Sequence, residues 1–123
     1  MKPDETKSLK LFQRLLSGDT SLSIYDKKGN QITIEQYLEF HDQMDYTSIA
    51  SDLLGGYIIS TVWLGIDHGT VNKHMIFETM VFETHKPLPI DKYTRRYSTE
   101  EEAKAGHSET RLSLMLKENI ACA

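Results

Sequence analysis

An α+β fold, a small antiparallel sheet packed with about three helices, is what this chain predicts, and three observations predict it. Two runs of β-branched and aromatic residues, about 57–66 and 74–83, are close enough to pair as a central hairpin. Apolar residues at helical spacing mark residues 4–17, the stretch after Thr33, and the stretch from Glu100 to about Lys117. Clusters of glycine, asparagine and aspartate separate these pieces. The 123 residues suit one domain, 1–123, with a core of its own.

In chain order, the first helix is capped by Asp4, and Glu5 suits its positive end. Leu9, Phe12 and Leu16 form its stripe, Leu11 and Leu15 widen it, and Gly18-Asp19 ends it. Leu22 to Tyr25 alternates, Asp26-Lys27-Lys28-Gly29-Asn30 is turn chemistry, and Ile32 resumes the pattern. Thr33 and Gln36 have the spacing of a capping box, with Ile34, Tyr37, Leu38 and His41 on the inward side. Asp45 to Leu54 reads as another helical turn or two, closed by Gly55-Gly56. After the hairpin comes a loop with two prolines, Pro87 and Pro89. Arg95-Arg96-Tyr97 reads as a short closing strand. Ser98 or Thr99 caps the last helix, whose body includes Ala103, His107, Leu112, Met115 and Leu116.

The hairpin strands are apolar on both faces: Ile58, Val62, Leu64 and Ile66 on one side of the first, Ile59 and Trp63 on the other. Such a strand is covered on both faces. Helices cover one face, and a second subunit is expected on the other, which predicts a homo-oligomer.

A net charge of −4 argues against general nucleic-acid binding, which needs a basic face. The lone Cys122 makes no internal disulfide, and no apolar run reaches the ~20 residues that span a bilayer. The expected location is therefore the cytoplasm of the host cell, away from membranes.

No nucleophile elbow, zinc signature or glycine-rich phosphate loop is present, so neither a catalytic centre, a metal nor a cofactor is predicted. Asp67, His68, His74 and Glu78 are too irregularly spaced to signal zinc. A hydroxyl-imidazole-carboxylate set could be drawn from Ser60, His68 and Asp67, since triads are defined by geometry. Glu78 is unusual in sharing a strand face with Ile76, Met80 and Phe82. A carboxylate there needs a partner, either Arg95, Arg96 or Arg111, or a ligand's hydroxyl or N–H groups. Arg95-Arg96-Tyr97 sets two guanidiniums beside an aromatic ring at a helix start, a combination suited to phosphate and base. Trp63 and Phe82 are core residues or a stacking platform.

Three segments carry a resemblance: Gly55-Gly56 with Ser60-Thr61-Val62-Trp63-Leu64-Gly65-Ile66-Asp67-His68-Gly69, then Ile76-Phe77-Glu78-Thr79-Met80-Val81-Phe82, then Arg96-Tyr97-Ser98-Thr99-Glu100-Glu101-Glu102-Ala103 to Gly106-His107. Over about residues 24–107 the chain resembles a family of small proteins common in phages and prophages. It departs from them at Thr70-Val71-Asn72-Lys73, where that family carries a Gly/Pro-rich loop. In size and α+β layout it is also similar to the Thoeris anti-defence sponges, which oligomerise and trap cyclic ADP-ribose-type immune signals without cleaving them.

The resulting expectation is a non-enzymatic protein that sequesters a nucleotide-derived immune signal. Its expected contacts are Arg95, Arg96 and Tyr97, with Trp63, Phe82, Glu78 and His68 in support. The alternatives are a protein-interaction or assembly module, and a hydrolase of a cyclic nucleotide working through Asp67, His68 and His74.

Overall fold

The computed structural model describes residues 23–69 and 73–119. The expected helix at 4–17, Cys122 and loop residues 70–72 lie outside that range. The described chain is an α+β fold: four antiparallel strands in the order β1-β2-β3-β4, backed by helices.

The chain enters through the turn at Asp26–Asn30, where Asp26 Oδ1 accepts the Lys28 and Asn30 amides at 2.9 Å each. Gly29 takes the positive φ of 86° that this reversal requires. Helix α1, Ile34–His41, begins on the expected capping box: Thr33 accepts from the Gln36 amide, and the Gln36 side chain accepts from the Thr33 amide. Tyr37 is its buried residue, Ile34 and Leu38 are half-buried, and His41 is exposed at the end of the helix.

The next segment differs from its sequence reading. Only Met44–Thr47 is helical (α2), and Ser48–Leu54 is a strand, β1. The reason is the turn that follows. Gly55 and Gly56 both have positive φ, 52° and 87°, which closes a two-residue hairpin and pairs Leu54 with Tyr57. Strand pairing thereby overrides the weak local preference of Ser-Ile-Ala-Ser-Asp-Leu-Leu.

The expected central hairpin is present as β2, Tyr57–Trp63, and β3, Phe77–Glu83, paired from Tyr57–Glu83 to Trp63–Phe77. Beyond Trp63 the alternation breaks, because the Leu64 and Gly65 amides both reach the Ile76 carbonyl, at 2.7 and 3.4 Å. Strand β4, Arg95–Tyr97, adds to β3 after a 3-10 turn at Asp91–Tyr93. Helix α3, Glu100–Lys117, is capped by Thr99, which accepts from the Glu102 amide.

Register decides which residues share a face. Thr61, Thr79 and Arg95 are cross-strand partners, and Thr61 touches His107 of α3, so this is the helix-covered inner face. Ile59, Trp63, Phe77, Val81 and Tyr97 share it and are buried, with Ala103 and Leu114 of α3 packed on them. Burial of a side chain such as Phe77 or Leu114 contributes roughly 2–3 kcal/mol. At one end, Trp63 meets Tyr37, Phe40 and Tyr46 of α1 and α2, and gives its indole N–H to the Tyr25 carbonyl at 2.9 Å. At the other end, Tyr57 and Tyr93 hold Glu118 at the close of α3.

The outer face carries Leu53, Ile58, Ser60, Val62, Glu78, Met80, Phe82 and Arg96. It is less apolar than the sequence suggested, since a serine and an ion pair interrupt it. Leu53 is 74% exposed and Ile58 37%. Among the described residues no helix is long and apolar enough to cross a membrane.

Candidate functional site

Three polar constellations stand out, one on each face of the sheet and one beyond the end of β2.

On the outer face, Arg96 Nε donates to Glu78 Oε2 at 2.8 Å, directly across β3 and β4. Glu78 is 4% exposed, so its charge depends on that guanidinium. Val62 lies across from Glu78 on β2, while Met80 and Phe82 continue its face along β3. All three are half-buried. Nε holds the guanidinium plane in place. The rest of its N–H fork has the geometry that matches phosphate or carboxylate oxygens.

The neighbouring arginine does something else. Alternation along a strand turns Arg95 to the inner side, where Nη1 donates to Glu109 of α3 at 2.9 Å. Tyr97 is buried, and its hydroxyl donates to Thr79 at 3.0 Å. The Arg-Arg-Tyr group is thus divided among two faces and the core. Trp63 is enclosed by aromatic rings as a core residue. Glu78, Arg96 and Phe82 remain together on one face.

On the inner face a hydrogen-bonded chain crosses the core. Tyr97 donates to Thr79, Thr79 and Thr61 lie 2.5 Å apart, Thr61 meets His107 Nδ1 at 2.7 Å, and His107 Nε2 meets Asp52 at 2.6 Å. One orientation satisfies every group: each hydroxyl donates to the next, Thr61 donates to Nδ1, and His107 gives its Nε2–H to Asp52. The set Thr61-His107-Asp52 has triad connectivity, yet Thr61 is fully buried and no substrate reaches its hydroxyl. Its role is to fix α3 over β1, β2 and β3. Gly106 makes the approach possible, since a Cβ there would overlap the Tyr97 ring. Sequence reasoning missed this chain. Its signal was two threonines at inward positions of otherwise apolar strands, with Gly106-His107 in a helix that faces them.

Beyond β2, Asp67 accepts the Gly69 and Met75 amides at 2.7 and 2.9 Å and pairs with His74 Nδ1 at 2.5 Å. Burial, the largest single influence, pushes the Asp67 carboxyl upward. The His74 and backbone hydrogen bonds together outweigh it and hold the group below the usual aspartate value. The His74 ring lies against Tyr25, 4.4 Å between centroids. His68, half-buried, gives its amide to the Met75 carbonyl at 2.9 Å. Ser60 lies on the outer face most of a strand away from Asp67 and His68, so the imagined Ser60-His68-Asp67 set does not converge. Among the described residues, no three or more His, Cys, Asp or Glu converge as a metal site.

The fold and these sites define a small α+β protein with an ion pair set in one sheet face. Compared with protein-family models, curated proteins and solved structures, the chain finds no match.

Proposed function

We propose that this is a non-enzymatic binding protein that takes its ligand on the outer face of the sheet, with Arg96 and Glu78 as the recognition centre. The observation that carries the reading is a nearly buried carboxylate held by one arginine among Val62, Met80 and Phe82. Nothing in the packing of the core calls for a charge at that position, and an apolar residue there avoids the cost of desolvating one. A nucleotide-derived ligand fits the chemistry. The guanidinium fork suits a phosphate, the carboxylate suits ribose hydroxyls or a base N–H, and Phe82 offers an apolar edge. The resemblance to phage proteins and anti-defence sponges favours an immune signal of the cyclic ADP-ribose type, held without being cleaved.

Titration calorimetry against cyclic ADP-ribose isomers and cyclic di- and trinucleotides tests this. Expected are heat with one of them, loss of that heat in Arg96→Ala, and recovery of intact ligand after the complex is heated. No heat with any of them retires the nucleotide reading.

A second reading, a protein-interaction or assembly module, is favoured by Leu53 and Ile58, which stay exposed on the same face. It predicts that Ile58→Asp abolishes capture of a protein partner while the fold is kept.

A further inference from the structure

Among the described residues the sheet has two outer strands, β1 and β4, and they are built differently. Strand β4 is three residues long, carries Arg95 and Arg96, and follows a segment in which Pro89 bridges to Phe82. Short length, proline and cations all discourage a further strand from pairing. Strand β1 has none of these three; its one irregularity is a bulge between Ser48 and Ala50, at the end away from the glycine turn. It runs seven residues, Ser48–Leu54, with no proline, lysine or arginine. Its one carboxylate, Asp52, is committed to His107.

The hairpin turn also fixes which backbone groups β1 presents outward. A two-residue loop makes Leu54–Tyr57 the hydrogen-bonded closing pair. Bonded and non-bonded pairs alternate, so Asp52–Ile59 is bonded, whereas Leu53 and Ser51 direct their N–H and C=O away from β2. Both residues are exposed.

We infer that β1 is a joint for a second copy of this chain, pairing antiparallel with its own counterpart across a two-fold axis at Ser51. That register lets the two Ser51 residues exchange both backbone hydrogen bonds. It sets Asp52 opposite Ala50 of the second copy, the residue next to the bulge. Moving the axis to Asp52 would set two carboxylates face to face, and like charges directly opposite are destabilising. An axis at Leu53 would pair only Asp52 to Leu54 before the glycine turn, so Ser51, at the middle of Ser48–Leu54, gives the longest self-complementary register, as a two-fold interface requires. The pairing extends the sheet beside Leu53, which is 74% exposed. It joins the two outer faces into one surface with an Arg96–Glu78 pair in each half.

The test is sedimentation velocity of the full chain at micromolar concentrations, together with amide hydrogen exchange. A dimer is expected, with the Ser51 and Leu53 amides protected in it. Ser51→Lys, which sets two cations on the axis, is expected to stay folded by circular dichroism and to dimerise at least tenfold more weakly. Those two amides then exchange freely. Should Ser51→Lys not fold, Leu53→Lys serves the same purpose from the solvent side. A chain that sediments as a monomer throughout, or a dimer that the folded lysine variant leaves intact, overturns the inference. Ligand binding through Arg96 is read separately by calorimetry, so either idea can fail alone.

Discussion

Arg95 and Arg96 are adjacent in sequence and opposite in circumstance. Arg95 meets Glu109 on the helix side with both partners well exposed. Arg96, 38% exposed in its side chain, meets a carboxylate that solvent hardly reaches. The same contrast holds for the two faces of the sheet. The inner face buries its polar groups in a closed chain from Tyr97 to Asp52 that leaves no hydroxyl wanting. The outer face concentrates its charge in one pair and leaves Leu53 and Ile58 exposed. The difference teaches that polarity inside a sheet can be arranged in two ways: as a closed network that locates a helix, or as a single cross-strand pair in which one arginine answers one buried carboxylate.

That contrast can be broken at the inner face first. Gly106→Ala forces a methyl into the Tyr97 ring, and urea unfolding is expected to show a loss of about 3 kcal/mol or no folded protein at all. His107→Ala strands the Thr61 and Asp52 partners and opens a void, for about 2–4 kcal/mol in the same measurement. On the outer face, Arg96→Ala leaves Glu78 buried without its partner. Solvent access to the arginine moderates the cost, to about 1–3 kcal/mol. Glu78→Gln in that background should recover much of the loss.

Two smaller effects sharpen the comparison. Asp67 has a lowered folded-state pKa, so its contribution is present above the unfolded value of about 3.9 and is lost as pH falls through the folded value. Asp67→Ala is therefore expected to cost about 1 kcal/mol at neutral pH, and the two stability curves should converge in acid. Arg95→Ala should change stability by no more than about 0.5 kcal/mol, because its ion pair is exposed and screened. Equal penalties for the two arginines would end the distinction drawn between the faces.

Much of the fold was legible in the sequence because its signals are local. Thr33 with Gln36, Asp26 with Gly29, and Thr99 before Glu100 each state a boundary in a few residues. The central strands announced themselves through β-branched and aromatic content. Strand β1 did not, since Ser48 to Leu54 has no strong preference and becomes a strand only because the Gly55-Gly56 turn delivers it to β2. The site was legible as composition and obscure as geometry. Glu78 was singled out and Arg96 named among its possible partners, but strand parity separates Arg95 from Arg96, and that parity needs the register. The Asp52–His107 link spans 55 positions and joins a strand read as helix, so no local pattern encodes it.

The order β1-β2-β3-β4 has a kinetic meaning. Each strand pairs with its neighbour in the chain, so the sheet itself closes loops of modest length. Assembly can zip outward from the glycine turn, and α3 can seal the product afterwards. A nascent chain that ends near Ser98 would already hold all four strands, with Ile59, Phe77 and Val81 awaiting their cover. That interval before α3 emerges is when this molecule is most exposed to aggregation and most in need of speed.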